Sequence, residues 1–285
     1  MIDRSIIVNP VFGKQIDLLD FSFLTDIVKE GFFKIVEIWD SDNDLFWQQL
    51  NKYTSYISFD ISLSVLMQEK KMSIVDTDAN VRSLSLNYIF QRIEFISKFG
   101  IKNISISSPP NTNEKFRLDA INLLIQNLII ICKYADNLGM HISFEPFDCD
   151  YHKKRLIGTT EDFVSLAKEI RSHVDNFHLI WDSAHVYLQE RILLESLTRA
   201  LTFIKRIHFA NVCTDNTKIY YGDSHIPFDD VGEISIEDLR LLYCNVKSMA
   251  NISSVAIEVA VNSEFSKVSS PNATIRHIYD IFERI

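Results

Sequence analysis

Short runs of β-branched and aromatic residues alternate along this chain with longer segments whose apolar positions recur three and four residues apart. That alternation is the signature of parallel strands joined by crossover helices. The runs predict strands at Ser5–Val8, Lys34–Trp39, Tyr56–Ile61, Asn103–Ser107, His141–Glu145, His178–Asp182, Arg206–Ala210 and Val255–Val259. Helical periodicity is clearest over Phe21–Glu30, Arg82–Phe99, Arg117–Leu138, Thr160–Arg171 and Ile236–Ala250. Asn113 and Thr159 or Thr160 suit helix starts, and Gly100 and Gly139 suit left-handed helix stops just before a strand.

Strand-helix repeats with no break in composition favour one closed (β/α)8 TIM barrel over an open doubly wound sheet, with residues 1–285 forming a single domain. A nucleotide-binding sheet would want a glycine-rich first turn, and Asn9-Pro10-Val11-Phe12-Gly13 lacks that spacing. The segment Ser62–Asp78 reads as an elaborated loop, placed by a barrel at its catalytic rim as a candidate lid.

Composition narrows the function classes. The 285 residues carry 29 Lys and Arg against 38 Asp and Glu, for a formal charge of -9, with no basic run interleaved with aromatics. Nucleic acid is therefore not expected as a partner. The start of the chain shows no secretory signal, and the most apolar segment, Ile121–Cys132, is interrupted by Asn122, Gln126 and Asn127. It falls short of the roughly 20 apolar residues of a membrane span, so no membrane is expected. Cys132, Cys149, Cys213 and Cys244 are scattered, with no CxxC pair, which points to a reducing cytoplasm.

Active sites of barrels sit at the carboxyl ends of the strands, so the exits carry the chemistry. The fifth strand ends in Glu145, the sixth in Asp182, the seventh holds His208 and the eighth Glu258, each in an apolar context. Any one alone reads as a salt-bridged or capping group. A buried, unpaired carboxylate costs several kcal/mol, however, and four ionisable residues on consecutive strands converge on one spot. One divalent ion resolves the repulsion, with Mn²⁺ first and Mg²⁺, Co²⁺ or Zn²⁺ as other choices. His185, about one turn past Asp182, can reach a substrate oxygen or a second metal, or serve as a capping or core histidine. Asp223-Ser224-His225 follows the seventh strand as either a site loop or a solvated turn. Glu37 and Trp39, at the end of the second strand, can line a sugar pocket, and Glu37 can equally sit in a structural ion pair.

The stretches Ile142-Ser143-Phe144-Glu145-Pro146, Trp181-Asp182-Ser183-Ala184-His185, Ile207-His208-Phe209-Ala210-Asn211-Val212, Gly222-Asp223-Ser224-His225-Ile226-Pro227 and Ile257-Glu258-Val259 occur in that order. The set resembles the xylose isomerase-like superfamily of barrels, which includes sugar isomerases and epimerases, inosose dehydratases and endonuclease IV. In the epimerase branch the resemblance implies metal ligands at Glu145, Asp182, His208 and Glu258. Dimers and tetramers are common in these families, which leaves a homo-oligomer open. Endonuclease IV carries further metal histidines after its third and fourth strands. Here those exits read Asp60-Ile61-Ser62 and Ile106-Ser107-Ser108-Pro109, and no histidine precedes His141. Many members follow the loop histidine with a glycine-rich segment, whereas this chain has Pro227-Phe228-Asp229-Asp230-Val231-Gly232.

The leading expectation is an isomerase or epimerase of a carbohydrate or cyclitol hydroxy-ketone. Glu145 and Glu258 would exchange the proton through an enediolate, and His185, His225, Asp223, Glu37 and Trp39 would surround the substrate. A dehydratase on the same metal site is the alternative, followed by an idle barrel that binds a sugar or a protein. A metal-dependent phosphodiesterase ranks last.

Overall fold

A computed structural model describes residues 2–228 and 231–285. Eight strands, β1 (Asp3–Ile7), β2 (Ile35–Trp39), β3 (Ser58–Ser62), β4 (Asn103–Ser107), β5 (His141–Glu145), β6 (Phe177–Asp182), β7 (Ile204–Ala210) and β8 (Ser254–Glu258), pair in parallel, and β1 closes on β8. Their bounds lie within two residues of those the alternation predicts.

Helices α1 (Asn9–Asp17), α2 (Ser22–Glu30), α3 (Asp44–Asn51), α4 (Ser64–Glu69), α5 (Ala79–Ser97) and α6 (Glu114–Asp136) cover the first half. Helices α7 (Thr160–Arg171), α8 (Ser183–Gln189), α9 (Leu193–Ala200), α10 (Ile236–Val246) and α11 (Pro271–Arg284) cover the second. Asn113 caps α6 by accepting from the Lys115 amide, and Thr159, not Thr160, caps α7 through the Asp162 amide. Gly100 and Gly139 have φ of +75° and +63°, the left-handed stop that lets the chain turn into the next strand.

One strand face carries the apolar core. Val36, Ile38, Phe59, Ile61, Ile142, Phe144, Leu179, Trp181, Ile207 and Phe209 are buried beneath the helices. Helix α6 is long and apolar enough by length and composition to cross a membrane. In the fold it instead buries Leu124, Leu128, Ile131, Cys132 and Ala135, and it packs beside α5, α7 and β5.

The opposite strand face is polar. Arg206 of β7 lies 2.8 Å from Glu37 of β2 and 2.9 Å from Asp60 of β3. Neither strand neighbours β7, so this ion pair spans the lumen. Branched apolar layers usually fill such barrels, and here a buried guanidinium takes their place. Only paired charges are tolerable at that depth.

The segment expected as an elaborated loop, 62–78, contains α4 and is tied down. The Leu63 amide donates to the Ser105 carbonyl, the Ser73 amide to Ser85 Oγ, and Asn127 Nδ2 to the Ile74 carbonyl at 2.6 Å. It forms one wall of the cavity described next.

Candidate active site at the carboxyl rim

A cavity of about 280 Å³ opens where the strands end. Register explains what meets there. Asp182 is paired with His208 across β6 and β7, and Ala210 with Glu258 across β7 and β8, so the exits of adjacent strands stand at similar height. Residues two apart share a face, which puts His208 directly above Arg206.

His208 is the hub. Its Nδ1 lies 3.1 Å from Glu145, 3.6 Å from Glu258 and 4.0 Å from Asp182, while its Nε2 lies 3.0 Å from Glu37 Oε2. Glu37 is only 6% exposed and also accepts from Ser5 Oγ at 2.7 Å and from Arg206. Burial opposes its charge, yet His208 and Arg206 hold the carboxyl down at about 2. Burial would likewise keep His208 neutral, but Glu37 and Glu145 outweigh it and drive its pKa well above the ordinary range. Glu145 is lowered against its burial by the hydrogen bond and charge of His208.

Asp182 plays two parts. Its Oδ1 accepts from the amides of Ala184 at 2.6 Å and His185 at 3.2 Å, starting α8. Its Oδ2 is buried with no hydrogen-bond partner among the described residues. Burial first, then Glu258 and Asp223, push this carboxyl well above its usual range, and burial also raises Glu258. A buried acceptor without a donor is costly.

Asp182, His208 and Glu258 each offer a donor atom within 4.8 Å of the others, and so do Glu145, Asp182 and His185. Carboxylate oxygens crowded against one imidazole nitrogen, one of them an orphan, fit a divalent cation. The side chains predicted from β5 to β8 are therefore together.

A second group lies beside the first. Asp223 sits 3.0 Å from His225 Nε2, 3.1 Å from Lys153 Nζ and 4.0 Å from His185 Nε2, and His225 Nδ1 is 3.4 Å from Glu258. Burial disfavours the charge on Asp223, but His225, His185 and Lys153 pull its pKa well down. His225 has a left-handed φ of +49°. His185 packs against Phe147, and its Nδ1 is buried without a partner among the described residues. Burial lowers its pKa despite Asp223 and Glu145.

The loop carrying Asp223 and His225 is returned to the barrel by Asn211, whose side chain bonds the amide and carbonyl of Ile234. A Cβ on Gly232 would stand 2.1 Å from Asn211 Nδ2, so only glycine allows this close approach. Asp229 and Asp230, part of the stretch that departs from the glycine-rich pattern, lie outside the described residues. Trp39 is 41% exposed at the rim, lines the cavity and donates its amide to Asn9 Oδ1.

Arg206, Lys153 and Arg155 are not among the residues that the sequence marks as candidates. Arg206 has a signal, because it lies two residues before His208 and so faces the lumen. Lys153 and Arg155 sit in the β5–α7 loop with no periodicity to mark them.

No curated protein sequence matches the chain. Among solved structures it is similar to D-psicose 3-epimerase from Clostridium cellulolyticum H10, solved with D-tagatose, at a TM-score of 0.71 and 14% identity, covering 99% of this chain and 97% of the other. It is similar to the IOLI protein with a bound zinc atom at a TM-score of 0.72 and 13% identity, over 99% of each chain. The 3-keto-D-glucoside 4-epimerase YcjR from E. coli follows at a TM-score of 0.69 and 15% identity, covering 97% of this chain and 99% of the other. At such identities the likeness is one of fold. The sequence profile described as xylose isomerase-like TIM barrel matches residues 25–241, and the chain belongs to that family.

Proposed function

We propose that the chain is a divalent-metal-dependent isomerase or epimerase of a carbohydrate or cyclitol hydroxy-ketone, working in the cytoplasm. The observation that carries this reading is the convergence of Glu145, Asp182 and Glu258 on Nδ1 of His208, with Asp182 Oδ2 buried and without a partner among the described residues. The epimerase structures of the same fold support the substrate class. The unpaired cysteines, three of them buried, accord with a reducing compartment.

Glu145, Asp182, His208 and Glu258 would hold the ion, with Mn²⁺ the first choice for this oxygen-rich set. When bound, the ion supplies polarisation of the substrate carbonyl and stabilises its enediolate. Glu145 from β5 and Glu258 from β8 flank His208. One carboxylate would take the proton from the carbon beside the carbonyl, and the other would return a proton to that carbon or its neighbour. Glu37 would keep the His208 proton on Nε2 and so leave Nδ1 free for the ion. His185, whose Nδ1 has no partner among the described residues, would bond a substrate oxygen as negative charge develops. Asp223 and His225 would orient a neighbouring hydroxyl, and Trp39 would cover the open side.

The test incubates the Mn²⁺-loaded protein in D₂O with a panel of ketoses and cyclitol ketones. Deuterium at the carbon beside the carbonyl, abolished by Glu145→Gln, is the expected result. Loss of water in place of exchange would reassign the chain as a dehydratase, and inertness across the panel would contradict the reading.

A further inference from the structure

The far wall of the cavity differs from the carboxylate cluster. A neighbouring recess of about 40 Å³ shares Ser64, Gln68, Ser107 and Arg155 with the cavity, the rest of its lining being mostly apolar. Among the described residues no carboxylate lines the recess, and Arg155 is its one charged residue.

Arg155 is built into place. Asp148 is fully buried, and its carboxylate accepts the amides of His152, Lys153 and Lys154, which winds the β5–α7 loop into a tight turn. The Arg155 amide then donates to the Asp148 carbonyl, and the Leu156 amide to that of Pro109. The loop thereby delivers an arginine whose side chain makes no hydrogen bond or ion pair among the described residues. Its Nε is buried and has no hydrogen-bond partner among those residues. Burial lowers the pKa of Arg155, with Asp148 opposing. Beside it, Ser64 Oγ accepts from both the amide and the hydroxyl of Ser107, at 2.7 and 2.6 Å, so its own proton remains free to donate.

A guanidinium that faces the Phe147 ring but whose donors have no hydrogen-bond partner among the described residues, a free hydroxyl proton and an amide are complementary to an oxyanion. We propose that Arg155, Ser64 and Gln68 form the subsite for an anionic group, phosphate or carboxylate, at the end of the substrate remote from the reacting carbon. The inference rests on the isomerase reading for what the substrate is, but the subsite can be tested by binding alone. It makes this a barrel for charged keto-sugars, in which Arg155 sets specificity while the rim carboxylates do the chemistry.

The test measures calorimetric binding of glycerol 3-phosphate, glycerate and glycerol to the Mn²⁺-loaded protein. Glycerol 3-phosphate or glycerate should bind at least tenfold more tightly than glycerol, and which of the two wins identifies the group. Arg155→Met should weaken the favoured probe by roughly ten- to a hundredfold, with Arg155→Lys intermediate and Ser64→Ala weaker than wild type. Equal weak binding of all three probes would overturn the subsite, as would anion binding indifferent to Arg155→Met, the mark of an anion held by the metal. Deuterium exchange into ketoses, run in parallel, separates the two claims. Exchange without Arg155-dependent anion binding overturns only the subsite, and anion binding without any exchange overturns only the assigned reaction.

Discussion

Glu37 Oε2 stands 3.0 Å from Nε2 of His208, and this turns Nδ1 of the same ring toward Glu145, Asp182 and Glu258. A carboxylate behind a ligating histidine fixes both the tautomer and the ring plane, and losing such a partner typically costs about ten- to a hundredfold in metal affinity. Glu37→Gln should weaken Mn²⁺ binding by that margin, read by competition with a chelating dye. Unchanged affinity would remove Glu37 from the site and leave it only its contacts with Arg206 and Ser5.

Asp182→Asn separates capping from metal binding. An asparagine still accepts the Ala184 amide and starts α8, and it relieves the crowding with Glu258 and Asp223. Without metal the variant should match or exceed wild-type stability. With excess Mn²⁺ the order should reverse, because only wild type gains from the ligand. Equal increases in Tm for both proteins would contradict the assignment.

Arg206→Met leaves Glu37 and Asp60 facing one another without the cation between them. Breaking a buried pair in this way costs about 3–5 kcal/mol. Urea denaturation should show a loss of that size with an unchanged m-value. A loss under about 1 kcal/mol would mean that the lumen admits water to these carboxylates.

His178 on β6 lies 3.2 Å from His141 of β5, near the strand starts and far along the strands from the cluster. Burial first, then Lys205 and His141, lowers its pKa to about 3. The unfolded chain binds this proton near pH 6.5, so the stabilisation is complete above that pH and is lost as pH falls toward 3. Between pH 7 and 5 wild type should lose roughly 1–2 kcal/mol more than His178→Gln. Parallel pH profiles for the two proteins would refute the assignment.

These contacts also show what the sequence could reveal. Strand positions were legible because β-branched runs such as Asn103–Ser107 are bounded by glycine or polar turns, and exits such as Glu145 and Asp182 follow from strand ends. The Glu37–Arg206 contact was not, because it joins residues 169 apart whose meeting depends on barrel closure. Glu37 could be named but not given a partner. Arg155 was hidden for another reason: buried Asp148 shapes its loop by side chain to backbone bonds that have no period. Helix α4 escaped because Ser64–Glu69 is too short to display a repeat.

The proposed chemistry depends on one divalent ion held by the last four strands. The most direct measurement is metal content by elemental analysis of protein purified without chelator, beside Glu145→Gln and His208→Ala. About one transition-metal ion per chain is expected, lost from both folded variants. Wild type that takes up no Mn²⁺, Co²⁺ or Zn²⁺ even after incubation with excess ion, or an ion retained by both variants, would contradict it.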